Sequence, residues 1–195
     1  MTDFVTSDPH LFHPLLANLR GYATPDEFND AWVDAYNDAV RSQKDRVFIL
    51  GDLTGGSLPA TQRAINLLAR LKGEKHLILG NHDPAHPMYR DSHKRMAMYF
   101  PTFASVQLHA RKSIGGTRVL LSHLPYQGGG DHTAEDRFNQ WRLPDLGVPL
   151  IHGHTHSDIL LSKTPKGTIQ VNVAWEATCA ALVAFEDLQW SVRSD

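Results

Sequence analysis

The stretch LILGNHDP, residues 77 to 84, is a short apolar run that stops at Gly80 and then presents an amide, an imidazole and a carboxylate in succession: Asn81, His82 and Asp83. A buried strand that ends this way hands polar side chains to the loop at its carboxyl end, which is where α/β sheets bind ligands. Glycine at the junction is expected to let the backbone turn sharply. The same arrangement recurs along the chain. Ligand-type residues follow apolar runs in SDPH (Asp8, His10), GD (Gly51, Asp52), SH (Ser122, His123) and HGHTH (His152, His154, His156).

Between these blocks, short runs rich in β-branched residues alternate with helical patterns, the signature of an α/β fold. DFVTS at 3–7 reads as the first strand, followed by a loop through Pro9 and Pro14. Thr24, Pro25 and Glu27 form a capping-box start with proline at the first helical position. Behind them Phe28, Ala31, Ala35 and Ala39 recur at helical spacing, widened by Trp32, Tyr36 and Val40, and this stripe is core. RVFIL at 46–50 is the second strand, residues 59–73 a helix stopped by Gly73, and HLIL at 76–79 the third strand. A helix is expected around 89–99 and strands near 104–109, 117–122, 148–152 and 168–173. A glycine-rich loop at 128–130 precedes a short helix capped by Thr133. No repeat, low-complexity tract or linker divides the chain, so residues 1–195 read as one domain.

Composition narrows the function classes. With 195 residues, 42% hydrophobic and 21% charged, the chain can bury one sizeable core. A formal net charge of −2 and scattered Lys and Arg leave no basic stripe for an extended nucleic-acid surface, while a small anionic substrate remains compatible. The N-terminus has no basic and then apolar leader, and no apolar run approaches the roughly 20 residues of a membrane span, so a cytoplasmic location without a membrane partner is expected. Cys179 is the only cysteine, which excludes an intrachain disulfide and a thiolate metal site. Histidine is abundant, with twelve copies, several of them clustered.

Five loops at the strands' carboxyl ends thus offer carboxylate, imidazole and one amide, a set suited to Mn²⁺, Fe, Co²⁺, Ni²⁺ or Zn²⁺ at a working site. There are more ligands than one ion uses, so two divalent transition metal ions are expected, Mn²⁺ foremost. Asp8/His10 and His154/His156 are i, i+2 pairs whose side chains an extended backbone separates, so one loop can serve two neighbouring ions.

In that order, SDPH … GD … GNHD … SH … GHTH resembles the calcineurin-like metallophosphoesterase family over residues 6 to 156, and EDRFNQWRLPDLGVPLIHGHTH is similar to its small bacterial and bacteriophage members. The resemblance implies a four-layer α/β/β/α sandwich. It implies that Asp8, His10 and His156 hold one metal and Asn81, His123 and His154 the other, with Asp52 between them. His82 is then the catalytic histidine and Asp83 the partner that orients its ring. His13, where small members often carry a histidine, is assigned as a substrate contact.

The other polar residues have two readings each. Arg137 and Arg142, in the segment from Leu124 to Leu146, either pair with phosphate oxygens of a substrate held under a lid or pair with Glu135, Asp136 or Asp145 on the surface. His152, at the end of an apolar strand, reads as a core or supporting histidine rather than a ligand. His76, His86, His93, His109 and His132 lack motif context and read as surface residues. The ending QVNVAWEATCAALVAFEDL departs from the family's usual strand and acidic segment, leaving the far wall of the pocket undefined. The expected activity is hydrolysis of phosphate esters by a two-metal-activated hydroxide, on phosphodiesters of nucleotide size. The alternatives are a phosphomonoesterase, a nucleotide pyrophosphohydrolase, a nuclease, or a metal-binding scaffold without turnover.

Overall fold

The computed structural model describes residues 1–128 and 136–188. The rest of the glycine run, the Thr133 cap, His132 and Glu135 lie outside the described residues.

Strands β1 (Asp3–Thr6), β2 (Arg46–Ile49), β3 (Glu74–Ile78) and β4 (Phe103–Gln107) pair in parallel, with the two-residue β10 (Val183–Ala184) antiparallel on the edge of β1. The register sets Thr6 beside Ile49 and Ile49 beside Leu77, so three strands end level and their loops leave from one edge. The second sheet runs β5 (His109–Ile114), β6 (Thr117–Ser122), β7 (Leu150–His152), β9 (Ile169–Asn172) and β8 (Leu161–Lys163). Its central strands β6, β7 and β9 are also parallel. Val5, Leu50 and Ile78 of the first sheet's inner face meet Val119, Leu121, Ile151 and Val171 of the second in a buried layer between the sheets.

Two longer helices cover the outer face of the first sheet. In α2 (Pro25–Ala39) the Thr24 hydroxyl accepts the Glu27 N–H at 3.2 Å, and the Glu27 carboxylate reaches back to the N–H of Ala23, one residue beyond the box expected. Its Phe28, Trp32 and Tyr36 are fully buried with Val47, Ile49 and Leu77 and with Ala64, Ile65 and Leu68 of α3 (Leu58–Leu68). Truncating Trp32 to alanine would cost roughly 3–5 kcal/mol through the cavity it leaves. The outer face of the second sheet, marked by Leu150 and Gln170, meets the loop through Tyr126 and Gln127. The Gln170 amide oxygen there accepts the N–H groups of Tyr126 and Gln127 at 2.7 and 3.2 Å. The result is a mixed α/β sandwich of two sheets and flanking layers, with the second sheet's outer layer thin among the described residues. None of the helices among the described residues is long and apolar enough to cross a membrane.

Several elements differ from expectation. Residues 14–19, read as loop, form α1 (Pro14–Leu19), because Pro14 suits a first helical position and the His13 ring caps the start. α3 stops at Leu68 rather than running to Gly73; two tighter turns follow, and Gly73, at φ 85°, delivers the chain into β3. The helix expected around 89–99 reduces to α4 (Ser92–Arg95) and a 3₁₀ turn at Met96–Met98, in a segment of successive turns from His86 onward. The strand near 104–109 is two strands: β4 belongs to the first sheet, β5 to the second, and Leu108 is the crossing point. β5, HARKSI, was hidden by its charges, and β8 and β10 are too short to give a pattern.

Candidate metal centre

The loops after β1 and β2 do not separate where their strands end. Asp8 N–H donates to Gly51 O at 3.1 Å, His10 N–H to Asp52 O at 3.0 Å and Leu11 N–H to Leu53 O at 2.8 Å, so pairing continues into the site. The backbone there is strained. Asp8, His10, Asp52, His154 and His156 all have positive φ, between 44° and 70°. Such conformations cost of order 1–3 kcal/mol and persist only where surrounding structure enforces them. Two glycines provide the room. A Cβ at Gly80 would fall on the Asp52 carboxylate, and one at Gly153 on the Ser7 hydroxyl and the Asp8 carboxylate. Gly80 is not among the positive-φ glycines, so the sharp turn expected of it is replaced by close approach as the reason for glycine.

The side chains then gather in two clusters. Ligand atoms of Asp8, His10 and His156 lie within 4.8 Å of one another, as do those of Asp52, His123 and His154. Asp52 stands between the clusters: its Oδ2 is 3.3 Å from His123 Nε2 and 3.7 Å from His10 Nε2. Asn81 Oδ1 is 2.9 Å from His123 Nε2. Asp8 Oδ1, both His10 ring nitrogens and His154 Nε2 are buried without a hydrogen-bond partner. Orphaned buried polar atoms cost about 1–3 kcal/mol each, and divalent cations would satisfy Asp8 Oδ1, one His10 ring nitrogen and His154 Nε2. The donors are nitrogen and oxygen only, with no thiolate. The residues fit a pair of borderline transition metals.

The electrostatics agree. Burial opposes ionisation of Asp8, but His123, His10 and His156 hold its carboxyl well below the usual carboxylate range. Burial lowers His154 to about 3, which keeps its lone pair free. His123, despite burial, is raised to about 10 by Asp52 and Asp8, so metal binding there would release a proton.

Two kinds of support aim the ligands. His123 Nδ1 contacts the Leu50 carbonyl at 2.6 Å, leaving Nε2 toward Asp52 and Asn81. His156 Nδ1 is 3.3 Å from Glu176 Oε1, which accepts from Arg20 Nε and Nη2 at 2.9 and 2.8 Å. Arg20 also donates to the carbonyls of Pro9 and Asp8. Neither Arg20 nor Glu176 was singled out in the sequence. Glu176 lies in the ending read as departing from the family, and its acidity there is the one available signal.

His82 is half-buried, with its N–H donating to Asp52 Oδ1 at 2.7 Å and its ring 5.5 Å from that of His10. Asp83, the next residue, is buried. Its carboxylate accepts the N–H groups of Gly80 (2.8 Å), Asp52 (3.0 Å) and Leu53 (3.2 Å), clamping the loops after β2 and β3 together. His13 lies 5.8 Å from His10, ring to ring, with Nδ1 accepting Leu16 N–H as the α1 cap and its other edge against Gly55. His152 is buried outside both clusters, with Nδ1 2.8 Å from Gly153 O.

The arginines divide. Arg142 is held by the carbonyls of Arg137 and Pro125 and approaches Asp136 at 3.9 Å. Asp145 instead accepts from the hydroxyls of Thr164 and Thr168. Arg137 is exposed and stacks on Phe138, whose ring lies 5.7 Å from His154; Phe138 is a wall residue the sequence reading missed. Of the histidines assigned to the surface, His93 is exposed and His76 and His109 are half-buried. His86 is buried, edge-on to Trp141 at 5.2 Å and accepting Met88 N–H, because the turns after β3 fold it inward.

Comparison with known proteins gives concordant findings. Residues 2–158 match the family model described as calcineurin-like phosphoesterase. The chain is 46% identical to the Gene 66 protein of Mycobacterium phage L5, over 81% of this chain and 79% of that one. It is 43% identical to the Gene 66 protein of Mycobacterium phage D29, over 88% and 86%. Among solved structures, a protein of unknown function from Aquifex aeolicus shares the fold with a TM-score of 0.65 at 20% identity, covering 94% of this chain and 95% of its own.

Proposed function

The chain belongs to the calcineurin-like phosphoesterase family, and from that premise we propose that it is a cytoplasmic hydrolase of nucleotide-sized phosphodiesters using two divalent transition metal ions, Mn²⁺ foremost. The carrying observation is the Asp52 carboxylate shared between two clusters of orphaned buried ligand atoms, with half-buried His82 beside it.

Asp8, His10 and His156 would hold one ion and Asn81, His123 and His154 the other, with Asp52 common to both. When bound, such a pair supplies Lewis acidity to a phosphoryl group and lowers the pKa of a water toward neutrality. Asp52 offsets charge where repulsion between the ions is greatest, while neutral Asn81 adds a donor without adding charge. The water gives up one proton to solvent; as its oxygen bonds to phosphorus, the ester oxygen leaves with its bonding pair and takes a proton from the protonated His82 ring, which regains one from solvent. Asp83 acts by position, keeping the Asp52 and His82 loops in register. A diester carries one negative charge rather than two. This suits a mouth where Arg142 is engaged by the carbonyls of Arg137 and Pro125.

The test is a panel of aryl monoesters and diesters, cyclic nucleotides and dinucleotides, assayed after chelation and after re-addition of metal. Chelation abolishes turnover, and Mn²⁺, Co²⁺ or Ni²⁺ restores it better than Mg²⁺. Diesters exceed monoesters in kcat/KM. His82→Ala loses roughly 10²–10⁴-fold on nucleoside esters and far less on nitrophenyl esters, whose leaving group needs no proton. Preference for monoesters would overturn the substrate reading, and undiminished turnover by metal-free protein the two-metal reading.

A further inference from the structure

Beside the metal centre, on the His82 side, lies a second concavity of about 370 Å³, in the size range of small-molecule sites. Its inner end is formed by Gly55 and Gly56. A Cβ at Gly55 would sit 2.8 Å from His13 Nε2, and one at Gly56 3.0 Å from the His82 carbonyl oxygen, so the groove begins where the catalytic loop ends. Leu58, Pro84 and Tyr89 give it an apolar surface, and Tyr89 is 43% exposed. The Tyr89 hydroxyl donates to the Asn81 carbonyl at 2.6 Å, which ties the aromatic ring to the loop carrying a candidate metal ligand.

The charges in this groove are unbalanced. Asp91 is paired with Lys94 at 2.8 Å, whereas Arg90 and Arg95 make no ion pair among the described residues. An exposed aromatic face and two uncommitted guanidinium groups beside a phosphoryl site form a combination that recognises a base and a phosphate together. His82 is the residue assigned to protonate the departing oxygen, and the groove abuts the His82 main chain at Gly56, so the groove is the nearest concavity to the part of the ester beyond that oxygen among those lined by the described residues.

We propose that the groove floored by Gly55 and Gly56 is the leaving-group subsite, and that it takes a nucleotide, with the base on Tyr89 and a second phosphate on Arg90 and Arg95. The assignment rests on the diesterase reading above and narrows its substrate to a diester whose leaving group is itself phosphorylated.

The experiment uses the Mn²⁺-loaded chain with a dinucleotide bearing a terminal phosphate, the same dinucleotide without it, and bis(p-nitrophenyl) phosphate. Binding of an uncharged nucleoside is measured in parallel by equilibrium dialysis. Wild type favours the phosphorylated dinucleotide in KM, and the double variant Arg90→Gln/Arg95→Gln loses that preference. Tyr89→Leu weakens nucleoside binding about 5- to 150-fold, the range of one base–aromatic stack, whereas Tyr89→Phe, which keeps the ring and loses the tether, retains it. Elemental analysis shows that metal content is kept. If bis(p-nitrophenyl) phosphate is cleaved but terminal phosphate makes no difference and nucleoside does not bind, the subsite is overturned while the diesterase reading stands. If only monoesters are cleaved, the diesterase reading falls, and the Tyr89 pair still decides by nucleoside binding whether the groove holds a base.

Discussion

The two halves of the candidate metal centre are built to similar dimensions by different means. Around Asp52, His123 and His154 the supports meet the main chain directly: the Leu50 carbonyl faces the His123 ring, the Asp83 carboxylate accepts the N–H groups of Asp52 and Leu53, and the Asp8 carboxylate accepts the N–H of His154. Asp8, His10 and His156 depend in part on a side-chain relay from His156 through Glu176 to Arg20, which returns to the carbonyls of Asp8 and Pro9. Main-chain support is insensitive to side-chain substitution except where a glycine or a clamp intervenes. A relay passes on every change along it. The half-sites should therefore respond unequally to mutation, and Asp52 is the point at which that inequality must vanish.

The largest effect is expected there. Asp52→Ala removes the carboxylate common to both clusters, so elemental analysis should show metal falling to one ion or none, with turnover down by roughly 10³-fold or more. Two retained ions would show that the halves do not share Asp52.

The clamp comes next, and pH reads it. In the metal-free protein Asp83 is pushed up to about 7 by burial and then by neighbouring Asp52, against the pull of its backbone donors. A carboxyl raised in the fold contributes stability that is fully present below pH about 4 and is lost as pH rises through about 7. The stability gap between wild type and Asp83→Asn, followed by thermal unfolding, should therefore narrow over that window, by at most roughly 1.4 kcal/mol per pH unit, and then level off. Metal beside Asp52 should shift the window to lower pH. A gap independent of pH in metal-free protein would mean that Asp83 is already ionised.

These predictions involve parts of the site that sequence made legible to different degrees. The candidate ligands were readable because buried parallel strands must be apolar to their ends, so Asp8, Asp52, Asn81 and His123 stand out as abrupt changes of chemistry. The conformations they adopt were not, since nothing in the residue types distinguishes an aspartate at φ 54° from one capping a turn. Gly80 was recognised, but for a reason that a single strand contains; the actual reason, the carboxylate of another loop, is tertiary. Arg20 and Glu176 are 156 residues apart and meet only once both sheets are assembled. β5 escaped for a simpler cause: its arginine and lysine sit on a hairpin with a partly exposed face, so the alternation that marks a strand is weak.

The relay itself supplies a more selective break. Glu176→Gln keeps the shape but removes the charge that holds the His156 Nδ1 proton. Loss of such a partner typically weakens metal binding about 10–100-fold. In a two-site calorimetric titration only one binding step should weaken, and the step attributed to Asp52, His123 and His154 should stay in place. Equal weakening of both steps would mean that Glu176 acts through the fold as a whole.

The smallest and most discriminating change is Arg20→Lys. The guanidinium of Arg20 holds Glu176 through Nε and Nη2 while Nη1 and Nη2 reach the carbonyls of Pro9 and Asp8, so one planar group fixes both the relay and the loop carrying the first ligand. Lysine keeps the charge but offers its donors from a single point and cannot span the carboxylate and two carbonyls together. The ion pair with Glu176 can survive, whereas the two carbonyls must turn to water or lose a partner, at a cost of about 1 kcal/mol. Metal affinity of the Asp8, His10 and His156 half should fall several-fold, less than in Glu176→Gln, with the other half unaffected. A loss as large as that of Glu176→Gln would place the control of this half in the geometry of the Asp8 loop rather than in the charge presented to His156.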